Sequence, residues 1–274
     1  MLEVKNLTLE NLDDVFIICA GVSTTYNIPM DEFILEGIEI RRKWLKNMFK
    51  NYGTCTKVAY LDGKPVAQIL YYPENAMKYM KNKRKNVVHI QCIVNPFQEA
   101  QGLGAGTALM NSLINECKQG LDILDGDKCS YLVSYPYLSA IGVSFSQFYS
   151  KMGFKLGEDE YYYELYTKYT PRKKSKYTPL PEDKNKVILF YNPTCELGYY
   201  YVNQVKKVLE NNFENLPIKI YNLWEDYEEY LKRPQQTVVA ARATVNQQTV
   251  DDFLYWEDVN KWLDEVRSKL YHDL

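Results

Sequence analysis

Apolar positions along the chain alternate between the two rhythms of regular structure. Leu2–Val4 reads as a short strand, and Thr8 is placed to cap a helix running to about Cys19. From Asp31 to Lys50, Phe33, Leu35, Ile38, Ile40, Trp44, Leu45, Met48 and Phe49 recur at helical spacing. Residues 57–72 follow as two strand-like runs around Asp62-Gly63, the strongest short hairpin signal. A β-run Val87–Val94 ends at Asn95-Pro96 and leads through a glycine-rich turn to a helix over about Gly106–Lys118. A strand at Tyr131–Tyr135, a helix over Val143–Met152 and a strand at Tyr161–Tyr166 complete the series. The order is β-α-α-β-β-β-α-β-α-β, an α/β layered fold with a mixed sheet.

Thr170–Lys186 has three prolines, a basic run and few aliphatic side chains, so it reads as a linker. The expected organisation is a domain over 1–170, a linker over 171–185 and a second domain over 186–274. Beyond the linker, Lys186–Asn192 reads as a buried strand and Leu197–Glu210 as a helix. Ile218–Tyr221 is a strand and Trp224–Leu231 a helix. Strands at Thr237–Val245 and Gln248–Val250 and a helix over Trp256–Leu270 close the chain.

With 46% hydrophobic and 25% charged residues in 274, the chain has an ordinary globular balance. The longest apolar run, the eight residues Val15–Val22, is far short of a membrane span of about 18. The charged opening Met-Leu-Glu-Val-Lys-Asn predicts no secretory leader and a cytoplasmic location. Net charge is −2, with no segment basic enough for a nucleic-acid face, so a small or peptide partner is expected. The six cysteines form no Cys-x-x-Cys pair, and the only histidines are His89 and His272. That leaves few parts for a zinc site or a Ser-His-Asp triad, and no metal is expected.

The most informative stretch is Gln101-Gly-Leu-Gly-Ala-Gly-Thr107, three glycines alternating as a helix begins. Glycine lets backbone amides approach a ligand, and a helix N-terminus supplies unpaired donors and partial positive charge. This is an anion cradle. No lysine follows the glycines as a P-loop requires. A dinucleotide fingerprint fails too: counted from Gly102 its third position is Thr107, and counted from Gly104 it is Leu109.

The pattern Gln/Arg-x-x-Gly-x-Gly/Ala is met by Gln101, Gly104 and Gly106, with Val94-x-Pro96 before it and Phe148-Tyr-Ser-Lys-Met-Gly-Phe154 about 45 residues on. In these residues, and in element order over roughly 1–168, the sequence resembles the GNAT family of N-acetyltransferases. The resemblance implies acetyl-CoA as cosubstrate. It implies main-chain groups of Ile93 and Val94 on the pantetheine arm, and amides of Gln101, Gly102, Leu103, Gly104, Ala105, Gly106 and Thr107 on the pyrophosphate. It further implies a strand that splays beside Val94, and Tyr149 as proton donor to the leaving sulfur. An amine of unspecified identity would attack directly. His89 and Gln91 share a strand face by the period of two, which makes His89 the candidate proton acceptor; Cys92 falls on the opposite face, out of its reach. Where relatives carry an asparagine, Gly142 stands, with Ser144 or Ser146 as substitutes. The acceptor pocket would draw on Tyr26, Phe33, Tyr71, Tyr72, Tyr135 and Tyr137. The competing reading is a non-catalytic acyl-CoA-binding or regulatory protein.

The C-terminal order, with Cys195 where a strand meets its helix, resembles a thioredoxin-like fold, and its pairing with a GNAT domain is similar to proteins carrying a YoaP-like C-terminal domain. The second cysteine of a redox pair is replaced by Gly198.

Overall fold

A computed structural model describes residues 1–135, 143–173, 177–233, 241–250 and 259–271. Backbone contacts group the chain into two compact units. The first comprises Met1–Met30, Arg42–Met77 and Asn82–Arg172; the second comprises Asp31–Arg41, Lys78–Lys81 and Lys173–Leu274.

The elements follow the chain as β1 (Leu2–Asn6), α1 (Asp14–Thr25), α2 (Glu32–Tyr52), β2 (Thr56–Leu61), β3 (Lys64–Pro73), β4 (Val87–Val94), α3 (Ala105–Gln119), β5 (Tyr131–Ser134), α4 (Phe145–Lys151), β6 (Lys155–Leu156) and β7 (Tyr161–Glu164). After them come β8 (Val187–Tyr191), α5 (Glu196–Asn212), β9 (Ile218–Asn222), α6 (Tyr227–Lys232), β10 (Ala241–Val245), β11 (Gln248–Val250) and α7 (Val259–Leu270).

In the first unit the sheet runs β1-β2-β3-β4-β5-β7-β6. All its pairs are antiparallel except β4 with β5, so it is a mixed sheet. Buried apolar residues of α3, such as Leu109, Leu113 and Cys117, pack on Ile69, Tyr71 and Ile90. On the opposite face Trp44 of α2 meets Tyr72 edge-on at 5.8 Å, and Gln68 reaches Cys19 of α1 at 3.0 Å. Asp62, at positive φ, and Gly63 close the β2–β3 hairpin.

Two helices begin later than the pattern predicts, for the same reason. The Thr8 amide and hydroxyl both turn onto Asn11 Oδ1, at 2.6 and 3.1 Å, so Thr8 closes a local turn and α1 starts only at Asp14. Asn222 likewise accepts from the amides of Trp224 and Glu225, which delays α6 to Tyr227. Short polar side chains that bond nearby backbone compete with the helix ladder.

The second unit has a sheet in the order β11-β10-β8-β9, with β8 and β9 parallel and the other pairs antiparallel. β8 is buried along its whole length, which suits its central place. Its core joins Val187, Leu189, Val202, Val205, Leu209, Trp262 and Val266. The early stretch Asp31–Arg41 is held there by Arg41, whose guanidinium meets Glu196 at 2.8 Å with both side chains 2% exposed. A Cβ on Gly37 would stand 2.6 Å from the Glu196 carbonyl oxygen, so only glycine permits that approach. No helix among the described residues is long and apolar enough to cross a membrane.

Candidate active site

β4 and β5 pair only over Val87–Ile90 and Tyr131–Ser134. From Gln91 to Val94, β4 keeps β3 on one side, and no described strand pairs with its other edge. Ile93 and Val94 lie on this stretch, whose second edge no described strand flanks. Ile93 is buried opposite Ile69, and Val94 is half-buried opposite Gln68.

A bulge sits at the start of that stretch. Leu70 pairs with Cys92 but Tyr71 pairs with Ile90, which leaves Gln91 as the extra residue. The Tyr72 hydroxyl donates to Gln91 Oε1 at 2.7 Å. Directly paired residues share a face, and Leu70 and Tyr72 are two apart, so Cys92 lies on the same face as His89. The strict alternation expected from sequence is thus corrected: the inserted residue brings Cys92 round to His89's side. Tyr71 goes the other way, onto the α3 face, and leaves the group of acceptor-site aromatics.

Beyond β4, Asn95 staples the loop. Its side chain donates to the Ala100 carbonyl at 2.9 Å and accepts from the Phe97 amide at 3.2 Å. The loop then turns through Gly102 and Gly104 at φ +76° and +86°, conformations that favour glycine, with open space where each Cβ would stand. The Gln101 amide is taken by the Gln98 carbonyl at 3.1 Å, which corrects its place in the cradle. The first helical bond runs from the Ala108 amide to the Gly104 carbonyl. Between them, the amides of Gly102, Leu103, Gly104, Ala105, Gly106 and Thr107 donate to no described residue. Gly106 lets the Phe148 ring stand 3.3 Å from its would-be Cβ.

Tyr149 of α4 is fully buried among Phe145, Phe148, Phe154 and Tyr161. Its hydroxyl meets Ser134 Oγ at 2.8 Å, and Ser134 donates to the Ile90 carbonyl at 3.0 Å. Ile90 and Ser134 are the last described pair of β4 and β5, so the phenol oxygen lies at the end of that pairing. Burial pushes this phenol above the usual tyrosine range, and it stays protonated. Ser144 is spent capping α4, accepting from the Gln147 amide at 3.4 Å and meeting Ser146 at 3.2 Å. Gly142 and Tyr137 lie outside the described residues.

His89 is 1% exposed, between Tyr72 at 5.7 Å and Tyr135 at 4.7 Å, and its Nδ1 has no hydrogen-bond partner. Burial first, then the facing charges of Arg172 and Arg84, lower its pKa to about 3. It is a neutral imidazole at ordinary pH and a weak base. Phe33 falls in the second unit, under the Lys207 ammonium at 4.2 Å, and Tyr26 is exposed. No group of three or more metal-ligating side chains occurs among the described residues. Sequence reasoning missed Asn95 and Ser134. Asn95-Pro96 was visible as a turn, whereas nothing local marks Ser134.

The first unit is a mixed sheet with one parallel pair, a loop whose amides 102–107 donate to no described residue, and a buried phenol at the end of that pair. The match to a known family is more specific: residues 22–132 match the acetyltransferase (GNAT) family. Among solved structures the chain is similar to a GNAT family acetyltransferase from Brucella melitensis in complex with acetyl-CoA. Identity there is 12%, covering 63% of this chain and 91% of that one, with a TM-score of 0.38. It is similar also to the PaiA N-acetyltransferase of Thermoplasma acidophilum in complex with coenzyme A (17%, 59% and 96%, TM-score 0.40). A third is the ribosomal-protein-S18-alanine N-acetyltransferase of Escherichia coli (16%, 59% and 90%, TM-score 0.37). No protein of curated function matches the chain.

Proposed function

We propose that the first unit transfers the acetyl group of acetyl-CoA to an amine, small or peptide-borne, by direct attack on the thioester. The observation that carries this reading is the row of amides from Gly102 to Thr107 that donate to no described residue, in the loop that follows β4. Hydrogen bonds to a charged group contribute about 1.5–3 kcal/mol each, so a few of these amides suffice to fix a pyrophosphate without a lysine. Main-chain groups of Ile93 and Val94 would take the pantetheine arm, which sets the thioester near the Tyr149 phenol.

An alkylamine with a pKa near 10.4 is neutral in only about one molecule in 10³ at pH 7, and that fraction attacks. Tyr149 gives a proton to the departing sulfur, a service worth about 10²–10⁴-fold. His89 is too weakly basic to strip an ammonium, so in this reading it stays a neutral wall of the site and the amine loses its proton to solvent. That weakness is also what favours a second reading, a non-catalytic acyl-CoA binder. A Tyr149→Phe change in the full chain separates the two. CoA release across a panel of amines should fall about 10²-fold or more while acetyl-CoA binding, read by calorimetry, persists. No acetyl-CoA binding by the unaltered chain would sink both readings.

For the rest of the chain we propose the boundaries 1–170, 171–185 and 186–274. The parallel β8–β9 pair joined through α5, with β10 and β11 added antiparallel, supports a thioredoxin-like, YoaP-like reading. Cys195 stands half-buried at the N-cap of α5, and Gly198 leaves it without a Cys-x-x-Cys partner. All six thiols are unbridged, as suits a cytoplasmic location.

A further inference from the structure

Ser134 is buried and holds one hydroxyl proton, which it donates to the Ile90 carbonyl. Its oxygen is then an acceptor, so at rest the Tyr149 proton points at Ser134. For Tyr149 to serve a sulfur, that proton must swing away, and the buried phenol oxygen then loses its partner. The hydroxyl 2.8 Å away can fill the gap by rotating about its C–O bond, with no movement of backbone.

Resting on the reading above, we propose that Ser134 is the positioning residue for Tyr149: its hydroxyl turns from the Ile90 carbonyl to donate to the phenol oxygen as the phenol donates to sulfur. In that step the amine nitrogen bonds to the acetyl carbon and the carbon–sulfur bond breaks with its electron pair going to sulfur. Sulfur takes the Tyr149 proton, and the proton shed by the amine returns through solvent to Tyr149. Nothing external is consumed. The Ile90 carbonyl is the resting seat of the switch because it belongs to the last pair of the joined strands.

The test uses the full chain and acetyl-CoA alone, water standing in for the amine, with CoA release as the readout. Ser134→Ala is expected to lower kcat about tenfold, the rate equivalent of one hydrogen bond to a developing charge, and to leave KM for acetyl-CoA unchanged. Ser134→Thr, which keeps the hydroxyl, should restore most of the rate. In a Tyr149→Phe background Ser134→Ala should cost nothing more. If Tyr149→Phe turns over at the full rate, or the unaltered chain binds acetyl-CoA and releases no CoA, the phenol's own role fails and Ser134's with it. If Tyr149→Phe is crippled while Ser134→Ala is not, the phenol stands and Ser134 falls. An equal loss from Ser134→Ala in both backgrounds, or a raised KM, also overturns the proposal, since that marks a structural role.

Discussion

At the scale of single residues, environment decides chemistry that residue type leaves open. Histidine has an ordinary pKa near 6.5, but His89 is sealed among Tyr72 and Tyr135 and faces Arg172 and Arg84, which takes it down to about 3. The folded chain keeps this imidazole neutral, whereas the unfolded chain takes up a proton below pH 6.5. Stability from this group is therefore complete above pH 6.5 and drains as the pH falls towards 3, by about 2 kcal/mol at pH 5. Urea midpoints between pH 7 and 5 should decline measurably less in a His89→Gln chain; parallel declines would refute the assignment. From sequence His89 was visible as a candidate base because type and strand face are legible. Its weakness was not, because its burial is set by the whole unit and Arg172 comes to it from 83 residues along the chain.

At the scale of elements, the strands and the glycine loop were legible because each is written in a local rhythm or a local conformational demand. The two late helix starts and the bulge were not. Thr8 and Asn222 carry ambiguous local signals, and the extra residue at Gln91 is defined only by its pairing with β3. The loop gives the sharpest test. Gly104 sits at φ +86° with open space where a Cβ would go, so alanine there meets strain and no clash. Gly104→Ala should cost about 1–2 kcal/mol of stability. It should also weaken acetyl-CoA binding several-fold as the turn relaxes. An unchanged denaturation midpoint and unchanged calorimetric affinity would show that the left-handed turn is not needed. Ser134 belongs to this scale too: its hydroxyl meets Tyr149 because β5 carries it there, which nothing local in the sequence announces.

At the scale of the whole molecule, the linker's composition suggests one division of the chain, at the proline-rich stretch. It does not capture which early residues the second unit enlists. Asp31–Arg41 looks in sequence like the first half of one helix, and its helical rhythm is correct; the partners of Gly37 and Arg41 lie some 155 residues later, beyond any local signal. Gly37→Ala would drive a methyl group into the Glu196 carbonyl. Glu196→Gln would leave the Arg41 guanidinium buried without its counter-charge, at a cost of about 3–5 kcal/mol. Both changes should lower the thermal midpoint of the full chain, Glu196→Gln by several degrees or more. A melting curve that neither change moves would remove this contact from the forces holding the second unit.

The enlistment of Asp31–Arg41 bears on how this polypeptide can be dissected. A scissor placed at the proline-rich stretch would return a C-terminal fragment stripped of nearly three turns of helix, Glu32–Arg41, that belong to its unit. The N-terminal fragment would keep that helix with its apolar and cationic side chains, Ile34 and Arg41 among them, stranded in water. Expression of such halves would report on the cut and not on the native pieces.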